Sequence, residues 1–139
     1  MIFDLADLIE THINDETYSH SFTAEAKFPT EKKLEEIREL TVRIIPTDMA
    51  TSNFTRSSTR NAMAVQISIQ KHLDGDIDEK IREMHKLVVE IQESLIRKNM
   101  PGYCYVSSTI NPIYNVAHLM QNRVFSSAIT LNYIRDYNF

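Results

Sequence analysis

Glycine is almost missing from this chain: Gly75 and Gly102 are its two glycines in 139 residues. A dinucleotide-binding turn, a Walker-type phosphate loop and a nucleophile elbow each need several glycines close together, because backbone must approach phosphate or turn sharply from strand to helix. None can be assembled here, which excludes nucleotide-handling and serine-hydrolase machinery of those types. Cys104 is the one cysteine, so no intrachain disulfide forms and a reducing compartment is expected. No apolar run approaches the roughly 20 residues that cross a bilayer. Positive charge is short as well. Fifteen Lys and Arg against nineteen Asp and Glu leave a net charge of -4, whereas a dedicated nucleic-acid binder shows a basic excess on at least one face. The opening Met1-Ile2-Phe3-Asp4-Leu5-Ala6-Asp7 puts acids where a signal peptide carries basic residues. A soluble product made in the cytoplasm is the expectation.

What the chain does have is patterned. Hydrophobic residues make up 42%, within the globular range, and the length fits one domain, residues 1–139, able to bury a core without staples. In Met63-Ala64-Val65-Gln66-Ile67-Ser68-Ile69-Gln70 the apolar and polar residues alternate, the period of a half-buried strand. A helix follows, with Ile77, Ile81, Met84, Val88, Ile91 and Leu95 on one stripe. A first helix is expected over residues 2–14 on Leu5, Ala6, Ile9 and Ile13, and a strand over 22–28, stopped at Pro29. A short helix or helical turn is read at 31–40, a strand at 40–45 ended by Pro46, a strand at 103–109 and a final strand at 123–135. Residues 111–120 read as a connection. Five strands and two main helices imply an α+β domain, its mostly antiparallel or mixed sheet carrying the helices on one face. The opposite face, with Gln66, Ser68, Gln70, Ser126, Thr130 and Asn132, is expected to meet water or a wet interface.

Between Pro46 and the strand at 63, residues 47–60 are polar and without period. They read as a long loop, and loops of that length are usually functional. Asn53, Phe54, Thr55, Arg56 and Arg60 are therefore the candidate contact residues. Three uses are open to the two arginines: binding phosphates, pairing with carboxylates of a neighbouring subunit, or solvating the loop.

Elsewhere the chemistry is thin. Asp74-Gly75-Asp76-Ile77-Asp78-Glu79 invites a calcium-loop reading, but the sixth and twelfth positions, which require glycine and glutamate, hold Glu79 and His85. Asp76 reads better as the cap of the long helix, with Glu79 completing a capping box. His12, His20, His72, His85 and His118 include no pair at metal-ligand helical spacing. Cys104, alternating with Tyr103 and Tyr105, is expected to be a small buried residue. No catalytic, metal or cofactor site is expected.

The order of parts resembles a known family. Leu34-Glu35-Glu36-Ile37-Arg38-Glu39-Leu40-Thr41-Val42-Arg43-Ile44-Ile45-Pro46 is similar to the short acidic helix and strand of tail terminator (tail completion) proteins of tailed bacteriophages and prophages. The likeness continues through Arg56-Ser57 into Val65-Gln66-Ile67-Ser68-Ile69-Gln70-Lys71, then Asp76-Ile77-Asp78-Glu79 and Val88-Val89-Glu90-Ile91. It ends with Asn111-Pro112-Ile113-Tyr114 and Ser127-Ala128-Ile129-Thr130-Leu131-Asn132-Tyr133. A glycine expected after Arg56 is missing. The resemblance implies a non-enzymatic virion protein without cofactor, forming a ring, commonly of six subunits, at the head-proximal end of the tail tube. Such a ring ends tube growth and joins the tail to the neck, and DNA passes through its bore without specific binding. Its implied partners are copies of itself, the major tail tube protein and neck or connector proteins, with no membrane. Two alternatives stand beside it: a head-side neck protein (stopper or adaptor) and a small cellular α+β ligand-binding or regulatory module. An enzyme would need Cys104 or a histidine to converge with carboxylates.

Overall fold

The computed structural model describes residues 2–26 and 38–138, the side chains of Phe54, Tyr137 and Asn138 excepted. Its elements, in chain order, are α1 (Ile2–Asp15), β1 (Ala24–Glu25), β2 (Thr41–Thr55), β3 (Ser58–His72), α2 (Ile77–Arg97), β4 (Cys104–Ile110), α3 (Val116–Asn122) and β5 (Val124–Asn138). The strands form one mixed sheet in the order β1-β2-β3-β5-β4, parallel between β1 and β2 and antiparallel elsewhere. This is the expected single α+β domain. The helix or turn read at 31–40 falls largely on 27–37, outside the described residues.

One core joins the helices to one face of the sheet. Leu5, Ala6, Ile9 and Ile13 of α1 and Met84, Leu87, Val88, Ile91 and Leu95 of α2 pack with Val42, Ile44, Met63, Val65, Ile67, Ile69, Ile129, Leu131 and Tyr133. The strand residues belong to one face because the register stacks them: Ile44 opposite Ile67, and Ile67 opposite Ile129. Burying each large aliphatic side chain contributes about 1.5–3 kcal/mol, so this face holds the domain together. Asp76 caps α2 by accepting from the Asp78 N–H at 3.1 Å. Glu79 makes no return bond to Asp76 among the described residues, so the cap is half of the expected box.

Three expectations need correction. Of the strand read at 22–28, Ala24–Glu25 are strand, residues 22, 23 and 26 are not, and 27 and 28 lie outside the described residues. Phe22 stacks on Tyr18 with ring centroids 5.6 Å apart. The outer edge of β1 is closed by α1: the Asn14 amide donates to Ala24 O at 3.1 Å and accepts from Ala24 N at 2.8 Å, and Glu10 accepts from Ala26 N. Next, the connection at 111–120 contains α3, which exposes all but Leu119 of its apolar residues and so carries no stripe to read. Asn115 caps it, accepting from His118 N at 3.0 Å, and Arg123 ends it in the left-handed region, φ 54°. The Arg123 guanidinium donates to the carbonyls of Leu73 (3.1 Å) and Gly75 (2.9 Å), tying the turn before α2 to the start of β5.

The largest correction concerns residues 47–60, which are two strands joined by a turn at residues 56–57. β2 does not stop at Pro46 but continues to Thr55 and pairs with β3 along its whole length. Pro46 is tolerated because it lies at a register shift, between Pro46 and Asp48, on a strand that has no second partner there among the described residues.

Candidate interface

Beyond Met63 the ladder leaves the helices behind and runs on as a three-stranded arm. Its strands are 47–55 of β2, 58–62 of β3 and 135–138 of β5, in register as Ser52 with Arg60 and Arg60 with Asp136. The arm turns at Arg56 and Ser57, where the Thr55 hydroxyl accepts from Ser57 N at 3.3 Å and shares a 2.6 Å hydrogen bond with Ser58. Neither turn residue has positive φ, so the turn lacks the Asn-Gly signature by which hairpins are read. Residues 47–53 and 55–57 are exposed.

Every predicted contact residue falls on this arm, but they do not converge on one point. Asn53 and Thr55 lie on the free strand, Phe54 is between them in the backbone, and Arg56 stands at the tip in solvent. Arg60 is committed within its own chain. Its Nε donates to Asp136 Oδ1 at 2.8 Å and its Nη2 to Asp136 Oδ2 at 3.0 Å, a two-point fork on the carboxylate. That bond raises the Arg60 pKa, and in return Arg60 holds the Asp136 carboxyl below its ordinary value. Arg60 is therefore a brace between β3 and β5. Asp136 was missed because only the strand register brings it to a residue 76 positions earlier.

On the inner side of the arm's base a polar row closes the core. The Thr51 hydroxyl donates to Asn61 Oδ1 at 2.6 Å, and Asn61 is buried. Arg135, opposite Asn61, lies over the Tyr103 ring at 5.1 Å from its centroid and donates to the Tyr103 hydroxyl at 3.3 Å. Below this row Tyr133 is fully buried, its hydroxyl has no partner among the described residues, and burial, with a smaller effect of Tyr105, pushes its pKa up to about 12.

The outer sheet face is polar, as expected, but it is partly covered, and Ser126, expected to meet water, is buried. Gln70 donates to Ser126 Oγ at 3.3 Å, His118 Nδ1 lies 2.8 Å from the same oxygen, and α3 shields this end. Cys104 is on this face and exposed, against expectation. It alternates correctly with the tyrosines, but β4 is the sheet's last strand and no helix covers its outer side. A second exposed feature, also unforeseen, is the apolar group Ile113, Tyr114, Val116 and Met120 on and before α3.

No protein-family model matches the chain, and no curated protein matches it. Its surfaces must therefore speak for themselves. Among the described residues no three His, Cys, Asp or Glu side chains are grouped to hold a metal, and no helix is long and apolar enough to cross a membrane. The Ser19 hydroxyl lies between Glu90 (2.8 Å) and His20 Nδ1 (3.1 Å) and donates to the carboxylate. Its O–H is thus directed at the carboxylate, whereas a nucleophilic serine directs it at the imidazole that serves as its base. Three surfaces among the described residues offer contact area: an exposed arm, a polar sheet face and an apolar corner.

Proposed function

We propose that this protein is a structural part of a phage virion. Copies of it form a ring, of six in the simplest case, at the head-proximal end of a tail tube, ending tube growth and joining the tail to the neck. The observation that carries the reading is the arm. Ordering each residue of a backbone costs about 1–2 kcal/mol, and residues 47–53 and 55–57 all stay exposed within one copy. A ladder held out into solvent in this way gains most when another subunit covers it. Head-to-tail contacts repeated by a closing rotation make a ring. The resemblance in sequence order supplies the tail as the place where the ring acts.

In this reading the partners are copies of the chain, the tube protein on one side and neck proteins on the other. DNA passes through the bore. At net -4 per copy a ring repels rather than retains a passing polyanion. The protein resides in the virion and is assembled in the host cytoplasm.

The test uses the full chain, alone and with purified tail-tube subunits. Light scattering is expected to give the mass of a closed oligomer, alone or on the tube, and electron microscopy to find tubes capped at one end. A single-copy mass under both conditions, with tubes that grow uncapped, overturns the reading.

A further inference from the structure

Both long margins of the sheet are open among the described residues, and they differ from the one margin the fold closes. β1 has its outward hydrogen-bonding groups taken by Asn14 and Glu10 of α1. β2 is paired on that side only at Val42 and Arg43, and β4 ends the sheet opposite. Proteins usually guard such edges with lysine, proline or inward charge. On β2, Pro46 and register shifts at Pro46/Asp48 and Asn53/Thr55 bound the run Met49-Ala50-Thr51-Ser52-Asn53. That run itself has no lysine, proline or charge, and neither has Cys104-Tyr105-Val106-Ser107-Ser108-Thr109-Ile110. A bulge at Tyr105/Ser107 is the one device on β4.

The two edges run in opposite directions, and residues 44–50 of β2 are level with residues 104–110 of β4. Ala50 is opposite Ala62, Ala62 opposite Ile134, and Ile134 opposite Cys104, so one straight row crosses the sheet from the β2 edge to the β4 edge. Three successive antiparallel pairings separate the two strands, so β4 runs opposite to β2. A copy rotated about an axis along the strands brings its Cys104 level with Ala50 of the next copy, with the strands antiparallel, the more stable pairing. Each copy then uses each edge once in a closing rotation, and residues 51–55 of β2 extend past Cys104, where β4 begins.

We infer that the β2 edge around Ala50 of one copy forms a backbone ladder with the β4 edge of a second copy. This deepens the ring reading and rests on its self-association. The row also fixes which side chains meet. Asp48, Ala50 and Ser52 share the sheet face of Cys104, while Met49 and Thr51 point to the other face.

The native Cys104 makes the test direct. In the full chain, at concentrations where it associates, Asp48→Cys, Ala50→Cys and Ser52→Cys are oxidised one at a time and run on non-reducing gels. At least one is expected to cross-link into a ladder from dimer upward, whereas Met49→Cys and Thr51→Cys stay tenfold or more below it. Adding Cys104→Ser is expected to abolish the bands. Bands that persist with Cys104→Ser mean β2 meets β2 and overturn the inference. So does equal cross-linking on both faces, or none at any position, with folding of each variant verified by circular dichroism. Tube capping is scored separately with the uncross-linked protein, so the ladder and the tail function fail independently.

Discussion

β2, β3 and β5 each pass through two environments, and the contrast between them explains the molecule. Under the helices, residues 63, 65, 67 and 69 of β3 are buried and 64, 66, 68 and 70 are not. Past Met63 the same strands keep their hydrogen-bonded register but lose the alternation of apolar residues, and the buried positions there, Asn61 and Ser58, are polar. Hydrophobic period therefore records what packs against a strand, while the ladder itself depends on backbone pairing and leaves little trace in side chains.

The widest gap between the two regions is expected from truncation. Ile67→Ala, in the middle of the core, should cost about 2–5 kcal/mol in chemical denaturation, while Thr59→Ala on the arm should leave the global midpoint nearly unchanged. Equal losses would mean the arm belongs to the cooperative core. Arg123→Ala removes two charge-assisted bonds to carbonyls that join β3, α2 and β5, and a loss of roughly 1–3 kcal/mol is expected in the same assay.

Tyr133→Phe should act in the opposite direction. It deletes a buried hydroxyl with no partner, so stability at neutral pH should hold or rise by up to about 1 kcal/mol. Its pH signature is sharper. The folded value of about 12 lies above the ordinary 10.0, so between these values the unfolded chain has released a proton that the folded chain retains. Stability is full below pH 10 and falls as pH rises towards 12. The phenylalanine variant should lose that part of the alkaline decline, as thermal melts across this window would show.

The smallest effect belongs to the brace on the arm. Asp136→Asn should lower hydrogen-exchange protection at 58–62 and 134–138 without moving the global midpoint, since the pair is solvent-exposed. Because Asp136 is held below its ordinary value, the pair's contribution is present above the ordinary carboxylate range. It is lost only as pH falls through the lowered value. Loss of protection in the core as well would tie the two regions more tightly than the packing indicates.

Much of the covered half was legible beforehand. The stripes of α1 and α2 and the alternation in β3 and β5 named the core residues and the fold class, because burial wrote them into the side chains. The arm was read as a loop because Thr, Ser and Asn repeat there without period, and Pro46 reads as a stop wherever its bulge is not foreseen. Cys104 was placed on the correct alternation but assigned the wrong environment, since a sequence does not state which strand ends a sheet. The five candidate contact residues fall on one arm, spread over β2, its turn and β3. The pairing of Arg60 with Asp136 was not legible, because it depends on strand register alone.

The strand order has a consequence for synthesis. β5 follows every other strand in the sequence, yet it lies between β3 and β4. The growing chain can form the β2–β3 hairpin early, but β4 has no place to dock until β5 has emerged from the ribosome. Non-local pairings of this kind form late. An unfinished chain would thus lack the β4 margin of the sheet and the Asp136 brace.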